Sequence, residues 1–120
     1  MVKDIIVGAN YGFKDWLIQR ATAAIMALYT VVLAVYIFCL SPLDYDSWRG
    51  IFAGTGLAST AMRFATFLFI VSLTYHAWVG VRDIWMDYVK STGLRLTLHV
   101  LTLLALIGNA GWAVQILWRL

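Results

Sequence analysis

The chain has 120 residues, 62% of them apolar and 12% charged, with a formal net charge of +3 and a mean hydropathy of +0.83. A water-soluble domain of this size must show more polar surface than these side chains supply, so the composition excludes one and places the chain in lipid. The nine basic residues form no cluster, which excludes a nucleic-acid surface, and too little lies outside the apolar runs to fold as a catalytic domain.

The fold class read from this pattern is all-α and integral to the membrane, a single domain over residues 1–120. Crossing a hydrocarbon core of about 30 Å takes about 20 apolar residues in a helix. Three stretches free of Lys, Arg, Asp and Glu meet that length: Ala21 to Leu43, Phe64 to Val81 and Leu96 to Trp118. Ahead of them, residues 1–16 read as an inner arm. Its apolar stretch Ile5 to Phe13 is interrupted by Gly8, Asn10 and Gly12 and closed by Lys14 and Asp15, which is not the pattern of a cleavable signal. The first helix is therefore expected to be retained as an anchor.

That first span, 17–41, is expected to start near Asp15 as a capping carboxylate, with Trp16 at headgroup level, and to stop at Ser41-Pro42, where proline withholds a helical donor. Cys39 inside it can form no intrachain disulfide, being the only cysteine. In the segment 44–53, Tyr45, Trp48 and Phe52 recur at helical spacing and predict a short interfacial helix, broken by Gly54-Thr55-Gly56. A second span is expected over 59–86, an inner loop over 87–93 and a third span over 94–119. Three spans put the termini on opposite sides. The larger basic set, Lys3, Lys14, Arg20, Arg82, Lys90 and Arg95, then shares the N-terminal side, against Arg49, Arg63 and Arg119. The excess predicts an N-terminus inside and a C-terminus outside.

Ionisable residues at membrane depth are costly and point to function once snorkelling is excluded. His76 lies about seven residues inward of Asp83, roughly 10 Å at 1.5 Å per residue, too deep for an imidazole to reach the headgroups. At 100° per residue its face carries Ala65, Phe69, Ser72, Gly80, Asp83 and Asp87. The small neighbours Ser72 and Gly80 suggest a flat recess in which a porphyrin could approach an axial nitrogen. Equally, they could serve close packing around a histidine bonded between helices. His99 could join His76 on one heme or be a packed polar residue. Arg20, at the inner mouth of the first span, suits a heme propionate or a quinone carbonyl, or else snorkels. Asp87 and Tyr88 suit hydrogen bonding and proton delivery to a quinone, or else belong to an aromatic belt and a solvated charge cluster with Arg82 and Asp83.

Arg20-Ala21-Thr22, His76-Ala77-Trp78-Val79-Gly80, Asp87-Tyr88-Val89-Lys90, the outer stretch Tyr45 to Phe52 and Leu94-Arg95-Leu96 together resemble the smaller hydrophobic anchor subunit of bacterial succinate dehydrogenase. The separation of His76 from Asp87 is the most specific part of the likeness, which spans nearly the whole chain.

The resemblance implies a complex in which an FAD flavoprotein oxidises succinate and an iron-sulfur subunit passes electrons to a pair of anchors in the bacterial inner membrane. This chain would be the half of a heterodimeric helical bundle that does no succinate chemistry itself. Its partner would be a larger cytochrome b556 anchor. By carry-over, His76 is one axial ligand of heme b, with Ser72, Gly80 and Arg20 about the heme. Tyr88, Asp87 and Arg20 attend a quinone, expected to be ubiquinone. The N-terminus would be cytoplasmic and the C-terminus periplasmic. Arg82-Asp83 departs from the family pattern, as a change at the pocket rim or a salt bridge to another subunit, and His99 receives no role. The alternatives are a self-contained small b-type cytochrome or a structural membrane subunit without cofactor.

Overall fold

A computed structural model describes the backbone of residues 2–120 and the side chains of 12–120. It contains α1 (Val2–Cys39), α2 (Tyr45–Ala53), α3 (Leu57–Tyr88) and α4 (Thr92–Arg119). Three segments, Gly12–Cys39 within α1, then α3 and α4, are long and apolar enough to cross a membrane. The described residues thus form an all-helical chain with three candidate spans and one short helix. Its outer surface carries large apolar side chains such as Leu28, Phe38, Leu104, Ile107 and Trp112, the arrangement expected when lipid replaces water around a bundle.

α3 is the central element. It packs against α1 on one side, α4 on another and α2 toward its N-terminal end. The core at that end joins Tyr29, Ile51, Phe52 and Met62, with Leu33, Tyr36 and Phe69 against it. The amphipathic α2 therefore does more than lie on a surface, because its Ile51 and Phe52 are buried in one cluster with Tyr29 of α1 and Met62 of α3. Trp48 meets Phe52 edge-on at 5.2 Å, while Tyr45 stays exposed.

Asp44 caps α2, its carboxylate accepting from the Ser47 backbone N–H at 2.7 Å. That interaction with Ser47 holds the Asp44 carboxyl below its ordinary range. Between α2 and α3 the chain must turn at Gly54, where an added Cβ would lie 2.5 Å from the Ser59 hydroxyl oxygen. Ser59 in turn donates to the Gly50 carbonyl at 3.1 Å, so a side chain at Gly54 would push aside the hydroxyl that stitches the two helices together.

Several element boundaries differ from the sequence expectation. α1 does not begin at Asp15 but runs through residues 12–16 without a break. A glycine inside a helix costs only about 1 kcal/mol relative to alanine, less than the cross-helix contacts of this stretch can offset. Asp15 is consequently no cap, and its carboxylate reaches Arg82 on α3. The connection between α3 and α4 is also shorter than 87–93. Asp87 and Tyr88 form the last turn of α3, and Ser91 caps α4 by accepting from the Leu94 N–H at 3.5 Å.

Candidate functional site at the seam of the first and third helices

Across the seam between α1 and α3, three polar links occur at heptad spacing along α1. Asp15 pairs with Arg82. Thr22 Oγ1 lies 3.0 Å from Nδ1 of His76. The Tyr29 hydroxyl lies 2.7 Å from Thr66 Oγ1. A seven-residue repeat keeps one face of a helix against its partner over several turns, so these residues mark the line of contact. Phe69 stacks on Tyr29 at 4.7 Å along the same line.

His76 stands in the middle of this seam. Its Nδ1 is engaged by Thr22; the hydrogen bonds of the described residues include none to Nε2. The imidazole borders a cavity of about 500 Å³ shared with Asp15, Trp16, Gln19, Arg20, Val79 and Asp83. Arg20 enters from α1 with its guanidinium 5.6 Å from the Trp16 ring centroid, a cation–π contact that holds the charge at the cavity edge. Among the described residues no carboxylate pairs with Arg20, the salt bridges there being those of Arg82. Gln19 adds a buried side-chain carbonyl oxygen with no hydrogen-bond partner among the described residues. The site therefore presents one imidazole nitrogen, one guanidinium and one amide, together with the carboxylates of Asp15 and Asp83, both beside Arg82.

Ser72 is buried, at 3% exposure, and neither it nor Gly80 is among the residues that line the cavity. An added Cβ at Gly80 would meet Gln19 Nε2 at 3.8 Å. The two small residues flank the ring one turn on either side of it, where Thr22 touches it, and Val79 and Asp83 contribute to the cavity wall. Thr22, Gln19 and Asp15 were not singled out as site residues. The available signal was polar residues at heptad spacing (Asp15, Thr22, Tyr29) inside a helix that is otherwise apolar.

Residues 4–111 match the model of a protein family described as the succinate dehydrogenase/fumarate reductase transmembrane subunit. The chain belongs to that family. A succinate dehydrogenase hydrophobic membrane anchor subunit from Coxiella burnetii is 36% identical over 107 residues, which cover 89% of each chain. Another from Rickettsia felis is 28% identical over 119 residues, covering 97% of this chain and 93% of its own.

This family member is a multi-pass membrane protein, and the other ionisable residues near the C-terminal end of α3 fall into distinct places. Arg82 bonds Asp15 within the chain and lies 3.7 Å from Asp83, two carboxylates that line the His76 cavity. It joins α1 to α3 because both carry opposite charge at the same height. Tyr88 is 79% exposed, and Asp87 beside it is exposed as well. Neither lines the His76 cavity within this chain.

His99 is held on another face of α3, its ring meeting Trp78 edge-on with centroids 5.7 Å apart. Trp78 is two residues from His76, about 200° around the helix, so α3 holds the two imidazoles on opposite sides. Among the described residues no three His, Cys, Asp or Glu side chains converge as a metal-binding group.

Proposed function

We propose that this chain is the membrane anchor subunit of a succinate:quinone oxidoreductase and that His76 supplies, through Nε2, one axial ligand to a heme b. The larger cytochrome b556 anchor supplies the opposite ligand. The observation that carries this reading is the engagement of His76 Nδ1 by Thr22 at 3.0 Å on the wall of a cavity that also holds Arg20. A ligating histidine nearly always has its other ring nitrogen fixed by a neighbouring oxygen.

The residues suit the group chemically. His76 offers a neutral donor nitrogen, and Arg20 offers a fork of N–H donors for a propionate carboxylate. Ser72 and Gly80 contribute by being small, which lets α1 and α3 close around the ring. When bound, heme b supplies a one-electron couple inside the membrane. A heme edge bounded by a second chain accords with a cavity that α1 and α3 enclose only in part, and this chain is then one half of a heterodimeric bundle.

Tyr88 and Asp87 form the remainder of the site as part of a quinone-reduction pocket, with Arg20 at its margin and ubiquinone as the quinone. Their exposure at the inner end of α3 makes both accessible to other subunits and to a lipid-soluble substrate. The phenol donates a hydrogen bond to a quinone carbonyl, and the carboxylate holds that phenol and relays protons from the aqueous side. The iron-sulfur and FAD subunits dock on this inner, cytoplasmic face, with the C-terminus periplasmic, as the distribution of Lys and Arg favours. Succinate chemistry belongs to the flavoprotein.

Substituting His76→Ala in the assembled complex tests the reading. Loss or displacement of the b-type absorbance is expected, and an unchanged spectrum and midpoint potential would refute it. For the quinone pocket, Tyr88→Phe should lower quinone reduction while succinate oxidation by soluble artificial acceptors persists; retention of both activities would remove Tyr88 from the site.

A further inference from the structure

We infer that Thr22 is the positioning residue that selects the tautomer of His76 and sets the donor strength of its Nε2. This rests on the reading of His76 as an iron ligand and adds to it a residue on a different helix.

A threonine hydroxyl has one proton to give. Here that proton is committed to the Ile18 carbonyl, 2.6 Å from Thr22 Oγ1, with the Gln19 carbonyl at 3.3 Å as its weaker alternative. Two oxygens at 2.6 Å without a proton between them would repel, so the Ile18 contact must be an O–H···O bond. Toward His76 the hydroxyl then presents only lone pairs. The proton between the two side chains must accordingly sit on Nδ1, which donates to Oγ1 across 3.0 Å. A neutral imidazole protonated on Nδ1 carries its lone pair on Nε2, the nitrogen that no described residue bonds.

Threonine suits the task better than its neighbours in size. Its β-branched side chain takes few rotamers in a helix, and bonding to the carbonyl one turn back is among them. The hydroxyl is thus aimed before the ligand arrives. The backbone that bears it is pinned on either side, by Asp15–Arg82 two turns toward the inner end and by Tyr29–Thr66 two turns toward the outer end. Serine could form the same pair of bonds, whereas valine or alanine could form neither.

A donor hydrogen bond from the distal ring nitrogen raises the basicity of the ligating one and so favours the oxidised iron. Thr22→Val, measured in the purified complex, is therefore expected to raise the heme midpoint potential and to shift the largest g value of the oxidised low-spin signal. Heme should be released about 10–100-fold more readily, and Thr22→Ser should restore all three. Should the valine variant fail to assemble, Thr22→Ala against Thr22→Ser makes the same comparison without added bulk. If Val or Ala matches wild type in potential and g value while His76→Ala abolishes the b-type spectrum, Thr22 is only a packing residue and the inference is overturned. If His76→Ala retains that spectrum, the ligand reading itself fails.

Discussion

The two long seams on α3 have opposite chemistry. Toward α1 it meets Asp15, Gln19, Arg20 and Thr22, and the polar contacts cross between helices. Toward α4 it presents a groove of about 510 Å³ lined by residues such as Ile70, Tyr75, Trp78, Leu103 and Ile107. There the side-chain hydrogen bond between helices runs from the Trp85 indole to Thr102 Oγ1 at 2.9 Å. Each seam holds one histidine. That of His76 has its Nδ1 provided for, whereas His99 has a buried Nε2 without a partner among the described residues. A polar atom in an apolar seam is a cost to the fold, and one placed beside a cavity and a guanidinium is available for chemistry.

The sharpest way to break this comparison is to remove each ring in turn. His76→Ala is expected to abolish the b-type absorbance of the complex, and His99→Phe to leave it intact while keeping the edge-on contact with Trp78. Loss of the spectrum in the His99 variant would show that the α4 seam carries the cofactor instead. Because the phenylalanine also removes an unpartnered buried nitrogen, the variant should melt no lower than wild type, as thermal unfolding of the detergent-solubilised complex can check.

A smaller effect is expected at Asp15–Arg82. Its side chains are 33% and 27% exposed, so much of the attraction is screened. Asp15→Asn should cost on the order of 1 kcal/mol, read as a modest fall in melting temperature, and should weaken the α1 seam without touching α4. The matching change on the other side, Trp85→Phe, removes one neutral hydrogen bond and should cost about 1 kcal/mol with no change in heme potential. A shifted potential there would mean that the seams are not independent.

The smallest expected effect lies outside both seams. The Asp44 carboxyl is held below its ordinary value by Ser47, so its folded form is favoured above the unfolded carboxylate pKa. That contribution is lost as pH falls through the lowered folded value. Helix content at α2, followed by amide exchange of Ser47, should therefore drop only in acid, and Asp44→Asn should flatten the dependence.

The spans were legible because a hydrocarbon core imposes one demand, a long stretch without charge, and the chain meets it three times. His76 was legible for the same reason, since depth alone sets it apart. Thr22 was not, because a threonine inside a helix usually bonds its own backbone, and this one does so as well while also meeting a ring on another helix. The start of α1 was misread because Gly12 and Lys14-Asp15 look like a loop and a cap. Only the structure shows Arg82 across the seam, which converts a local stop signal into a tertiary contact.

The chain of donors that begins at His76 ends on a peptide group. In the tautomer inferred above, Nδ1–H gives to the Thr22 hydroxyl across their 3.0 Å contact and the hydroxyl gives to the Ile18 carbonyl, so polarisation at one end is passed to the other. A slight unwinding of that single turn of α1, by a neighbouring subunit or by lipid, would lengthen the last bond of the relay. The electron density available at Nε2 would respond although nothing beside the ring had moved.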